Sequence, residues 1–123
     1  MAVSRRNGDR RRFRRFRYDA RADIGNAEGG WSCRVLDLSL KGVLLERPLL
    51  WTGEAGDRFS MALAVGGLIS ISMEITVAWQ TEEQIGCYWH AIDDESFTQL
   101  KRLAAMHLGS RRLLSRELNA LRR

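Results

Sequence analysis

Apolar and polar residues alternate with a period of two along most of this chain. The pattern is cleanest over Ile69–Trp79. There Ile69, Ile71, Met73, Ile75, Val77 and Trp79 fall on one face, and Ser70, Ser72, Glu74, Thr76 and Ala78 on the other. Such alternation predicts a half-buried strand. The same reading gives strands over Tyr18–Ile24, Trp31–Leu36, Val43–Glu46, Arg58–Val65 and Ile85–Ile92. Gly25–Gly30 reads as a flexible connection, and Arg47–Asp57, with the only proline, Pro48, as a loop. Gly66-Gly67 is a hairpin signal, and Thr81–Gln84 joins the last two strands.

At Asp93-Asp94-Glu95-Ser96 the period changes. Acids and a serine suit a helix N-terminus, and Phe97, Leu100, Leu103, Ala104 and His107 recur at helical spacing. Gly109 fits the stop and Ser110 a new N-cap. Leu114, Leu118 and Leu121 then mark a second amphipathic helix edged by Arg111, Arg112, Arg116, Arg122 and Arg123. About six short antiparallel strands with one apolar face each predict a mainly β protein, a small barrel that removes its own sheet edges. The helices are expected to cover an open end or a face of it. The expected division is a basic arm over 1–17, the barrel over 18–93 and the helices over 94–123, one domain overall.

Charge alters the picture at the N-terminus. The first 17 residues hold eight arginines against the single acid Asp9, a net of +7, while the whole chain carries +5. Everything after the arm therefore sums to −2. A local basic arm with Phe13 and Phe16 among its arginines suits an anionic, planar partner. Unbound, it is expected to be largely disordered, having too little apolar surface to bury itself. Arginine brings a planar fork that grips phosphate in a bidentate manner and stacks on aromatic faces.

Several chemistries find no support. No apolar run approaches the ~20 residues of a membrane span, and no signal-peptide h-region follows the basic start. Cys33 and Cys87 are too few for a disulfide framework; each reads as a small buried hydrophobe in a cytoplasmic protein. Cys87 and His90 lie three apart in a strand, on opposite faces, so they do not converge on a metal. His107 reads as a helix-face residue. No catalytic constellation and no phosphate-binding glycine loop is present, so no enzyme, metal or cofactor is expected.

Two motifs remain. Arg11-Arg-Phe-Arg-Arg15 fits Arg-x-x-x-Arg ahead of the first strand. Asp37-Leu-Ser39-Leu-Lys-Gly42 fits Asp/Asn-x-Ser-x-x-Gly between two strands. On its own the second is an Asx-type corner, in which Asp and Ser bond backbone amides and Gly42 is free to take positive φ. Together, in this order and about 20 residues apart, the motifs resemble those of the PilZ domain family of cyclic di-GMP receptors. The free-standing members, with an acid-Arg-Arg-Arg-Phe-x-Arg start, a tryptophan late in the long strand and a helical tail, are the most similar.

The resemblance implies a six-stranded PilZ-type barrel and a cyclic di-GMP site. Arg11 and Arg15 match the arginines that grip phosphates and guanine edges, a pairing also used in DNA readout. Asp37 matches the acid that accepts from guanine N1–H and N2–H₂, and it is also expected to help hold the corner. Ser39 matches the hydroxyl of the corner, and Gly42 allows close backbone approach. Arg10 and Arg12 flank the motif, and the additional Arg10 suggests a stacked pair of ligand molecules per chain. Trp79 matches a tryptophan that stacks near the ligand, yet it continues the apolar face of its strand, so core packing stays open. The implied protein is a monomeric, cytoplasmic receptor that relays the signal to an unidentified downstream protein as its arm orders. Two other readings compete: a barrel that binds single-stranded nucleic acid, disfavoured because the strands lack several exposed aromatics, and a protein held on anionic lipid.

Overall fold

The computed structural model describes residues 13–121. Six strands close into one antiparallel barrel: β1 (Phe16–Asn26), β2 (Gly29–Leu38), β3 (Gly42–Glu46), β4 (Arg58–Gly66), β5 (Ile69–Gln80) and β6 (Gln84–Ile92). Their order around the barrel is β1-β2-β3-β6-β5-β4, and β1 pairs with β4 to close it. Closure leaves no sheet edge to template aggregation. Two helices follow, α1 (Asp94–Leu108) and α2 (Arg111–Leu121).

The expected mainly β barrel with C-terminal helices is what the chain forms, and the inward faces supply its core. Leu45, Leu63, Ile71, Ile75 and Ile85 lose all contact with solvent. Trp51 comes from the β3–β4 loop and packs between Trp31 and Phe59, at ring-centroid distances of 4.7 and 5.0 Å. Leu100 and Ala104 of α1 complete the core from the helical side. Both cysteines are buried and unpaired.

The strands run past the expected boundaries. β1 begins at Phe16, two residues before Tyr18, because Phe16 is itself a core residue. β1 and β2 run through Gly25, Asn26, Gly29 and Gly30, leaving only Ala27 and Glu28 as the turn. Asn26 shapes that turn: its side-chain oxygen accepts from the Glu28 amide at 2.8 Å.

Helix ends follow their caps. Asp93 caps α1, its carboxylate accepting from the Ser96 amide at 2.7 Å and the Ser96 hydroxyl at 3.0 Å. Ser96 in turn accepts from the Ser72 amide of β5 at 2.9 Å, which ties the helix start to the barrel. Gly109 ends α1 at φ 67°, and Ser110 Oγ accepts from the Leu113 amide at 3.3 Å to open α2.

Candidate functional site

Two strand irregularities position the candidate site. In β2, Cys33 and Val35 point inward, and strict alternation would send Asp37 inward as well. The pairing with β3 slips instead: Val35 faces Leu45, but Asp37 faces Leu44, so Leu36 is an extra residue in β2. A bulge of this kind moves every later side chain to the other face. Leu38 is thereby buried, and Asp37 is left half-exposed outside the barrel. β5 repeats the device. Val77 faces Cys87 and Trp79 faces Gly86, so Ala78 is the extra residue. Val77 remains in the core, while Trp79 emerges 41% exposed.

The sequence left core packing and ligand contact both open for Trp79. The structure places it outside the core, on the pocket wall. Gly86 makes this possible. A methyl group there would overlap the Cε2 and Nε1 atoms of the indole, so the indole occupies the space a side chain would take.

The corner between β2 and β3 is tightly held. Ser39 Oγ accepts from the amides of Lys41 at 3.2 Å and Gly42 at 3.1 Å, and the Ser39 amide donates to the Gly42 carbonyl at 3.0 Å. Trp89 of β6 clamps the same corner: its indole N–H donates to the Leu40 carbonyl at 2.8 Å and its amide to the Lys41 carbonyl at 3.1 Å. Lys41 lies over the Trp89 ring, 4.6 Å from its centroid.

Two expectations for this corner are corrected. Gly42 needs no positive φ, since it lies in β3. It is glycine because a Cβ would collide with the Cys87 carbonyl across the β3–β6 ladder. Asp37 does not hold the corner: among the described residues its carboxylate receives no hydrogen bond, and Ser39 and Trp89 do the scaffolding.

Arg15, Asp37, Ser39, Gly42, Trp79 and Tyr88 meet around one open pocket of about 150 Å³. It is floored by residues of β3 and β6 such as Val43 and Cys87. Arg15 lies immediately before β1, with its side chain exposed. Its volume falls well below the ~300–1,000 Å³ of a site that encloses a drug-sized ligand. A volume of this size takes only part of a ligand as large as those. Arg10, Arg11 and Arg12 fall outside the described residues, as does most of the segment expected to order on binding.

Tyr88 and Trp89 were missed in the sequence. Tyr88 is 40% exposed and faces Gly42 across the ladder, so with Trp79 the pocket has two exposed aromatics. Finding it requires the β3–β6 register, which alternation alone does not give. Among the described residues no group of three His, Cys, Asp or Glu side chains is arranged to hold a metal ion. No helix among them is long and apolar enough to cross a membrane.

A closed six-stranded barrel with an arginine ahead of β1 beside an acid–serine–glycine corner defines a class of small antiparallel barrel. The chain belongs to the PilZ domain family, whose profile matches residues 9–105. Solved structures share the fold at low identity. The Bacillus subtilis inhibitor of motility MotI/DgrA superposes with a TM-score of 0.68 at 12% identity, over 80% of this chain and 52% of its own. The PilZ domain of YcgR from Escherichia coli, solved with c-di-GMP, gives 0.66 at 16% identity, over 81% of this chain and 92% of its own. The PilZ domain of CeSA from a cellulose-synthesising bacterium gives 0.62 at 13% identity, over 79% and 99%. The chain thus spans about half the length of the Bacillus protein and over nine-tenths of the other two.

Proposed function

We propose that this protein is a non-enzymatic receptor for cyclic di-GMP. The observation that carries the reading is the convergence of Arg15, Asp37, Ser39, Gly42 and Trp79, drawn from three separate segments, on a single pocket. The chemistry matches a guanine nucleotide. An arginine fork meets guanine O6 and N7 or a phosphate, and a carboxylate accepts from N1–H and N2–H₂. Trp79 and Tyr88 offer faces for a base. Membership of the PilZ family and the c-di-GMP carried by the YcgR domain support the same ligand.

In this reading Arg10, Arg11 and Arg12 close over the part of the ligand that the pocket leaves outside, and a stacked pair of molecules binds per chain. The receptor acts as a cytoplasmic monomer. Ordering the arm costs roughly 1–2 kcal/mol per residue fixed, which binding offsets, and the changed surface is read by a protein partner.

Calorimetry with cyclic di-GMP, GTP and a random oligonucleotide at two salt concentrations tests the proposal. Expected are saturable heat with cyclic di-GMP alone, a stoichiometry of two and no turnover. No heat from a folded protein would overturn the ligand, and a stoichiometry of one would reject the stacked pair. Oligonucleotide binding that collapses with salt would favour the nucleic-acid reading.

A further inference from the structure

Three consecutive residues ahead of and at the start of β1 each engage a different element. Arg14 donates its backbone N–H to Glu117 Oε2 of α2 at 2.9 Å. Arg15 lines the pocket. Phe16 enters the core and stacks on His107 of α1, with ring centroids 4.6 Å apart and planes 5° from parallel. With Arg14 tied to α2 and Phe16 held in the core, the backbone of Arg15 is fixed at the pocket rim, and its side chain reaches the pocket from there.

Glu117 is the unusual member of this bridge. It is 4% exposed, a buried carboxyl on a helix otherwise amphipathic in the ordinary way. Its Oε1 atom has no hydrogen-bond partner among the described residues. A buried acid with one oxygen unpartnered among the described residues costs stability. What Glu117 supplies is an acceptor for the segment that carries Arg15.

The helix that bears it is weakly self-sufficient. α2 has 11 residues, fewer than the ~12–15 an isolated helix needs to be even marginally stable. Its first turn holds no acid but two arginines, Arg111 and Arg112, which oppose the helix dipole. Leu114, Leu118 and Leu121 pack on the edge of the core, so its order depends on staying docked.

We propose that Glu117 is a positioning residue for Arg15, and that through the Arg14 bond α2 is the element whose docking responds to ligand. The coupling rests on the cyclic di-GMP reading. The latch itself does not. Ligand that fixes Arg15 fixes the Arg14 amide and so holds Glu117; by reciprocity, docked α2 strengthens binding by the same factor.

The test uses the full chain with Glu117→Leu, which keeps the volume and removes the acceptor, and Glu117→Gln, which keeps an acceptor. Amide exchange and calorimetry with cyclic di-GMP are read on both. Without ligand, Glu117→Leu is expected to speed exchange at Arg14 and across 111–121, and Glu117→Gln to restore protection. With ligand, wild-type α2 gains protection; Glu117→Leu loses affinity about tenfold, the scale of one charge-assisted hydrogen bond, and Glu117→Gln stays within about threefold. Ligand-free exchange unchanged in Glu117→Leu would overturn the latch. A broken latch with affinity unchanged within twofold, or α2 protection that ligand does not raise, would overturn the coupling. If the wild type binds no cyclic di-GMP, the receptor reading and the coupling fall together, and the ligand-free comparison still decides the latch.

Discussion

The indole of Trp79 rests on the Cα of Gly86, in the space any larger residue at 86 would fill. Trp79 is partly exposed and free to swing, so Gly86→Ala is expected to displace the ring while the barrel stays closed. Cyclic di-GMP affinity should fall about tenfold, with a shifted tryptophan emission and a nearly unchanged melting temperature. Gly42→Ala makes the useful contrast. Its new methyl meets the Cys87 backbone carbonyl, which cannot swing away. That variant should lose roughly 1–3 kcal/mol of stability, measured by chemical denaturation. If both glycine variants behave alike, the indole is not what Gly86 accommodates.

Arg15 has an exposed side chain ahead of the first strand. Arg15→Ala is therefore expected to leave the denaturation midpoint in place and to cost binding on the order of 2 kcal/mol or more. Affinity within about twofold of wild type would remove Arg15 from the site.

Asp37 and Ser39 sit two residues apart and should separate cleanly. Ser39 accepts from two amides of the corner, so Ser39→Ala should cost about 1–3 kcal/mol of stability. Asp37 receives no such bonds among the described residues, so Asp37→Ala should weaken binding with the melting temperature unchanged. A large loss of stability in Asp37→Ala would return the acid to the scaffold.

The barrel was legible because each strand buries one face, and alternation records that directly. The corner and the arginine were legible because a short motif must keep its spacing. Trp79 was legible as a residue but not in its direction. A bulge adds one residue to one strand only, and no pattern along β5 records that β6 has one fewer. Asp37 is turned outward by the same device in β2. Glu117 was invisible for another reason: between Arg116 and Leu118 on an amphipathic helix it resembles any solvated acid. Its partner, the Arg14 amide, lies 103 residues away in sequence.

The two thiols should be inert in the folded protein. Burial pushes the Cys33 thiol up to about 11, with the nearby Arg21 guanidinium opposing the shift. Burial, aided by the neighbouring Cys33, pushes Cys87 up to about 12. Almost no thiolate exists at neutral pH, and the thiolate is the nucleophile. Titration with an aromatic disulfide reagent should label neither residue until denaturant is added, and then both. Rapid labelling of native protein would show that the barrel opens at Cys33 or Cys87.

Two carboxyls should shape the pH dependence of stability in opposite senses. Hydrogen bonds from Ser96 hold the Asp93 carboxyl below its ordinary 3.8. Its contribution is present above pH 3.8 and lost as pH falls through the lowered folded value. Burial holds Glu117 above its ordinary 4.5, with the Arg14 amide and charge opposing the shift. The folded chain therefore binds this proton more tightly than the unfolded one. The contribution of Glu117 is complete below pH 4.5 and is lost as pH rises through the raised folded value. Melting temperatures of wild type, Asp93→Asn and Glu117→Gln across this range isolate each group. Asparagine still caps a helix and glutamine still accepts from Arg14, so each variant removes the titration and keeps the bond. Asp93→Asn should flatten the acid limb, and Glu117→Gln should flatten the decline that begins near pH 4.5. A Glu117→Gln curve parallel to wild type above that pH would mean that the carboxyl is solvated, and that α2 does not hold the arm through a buried acid.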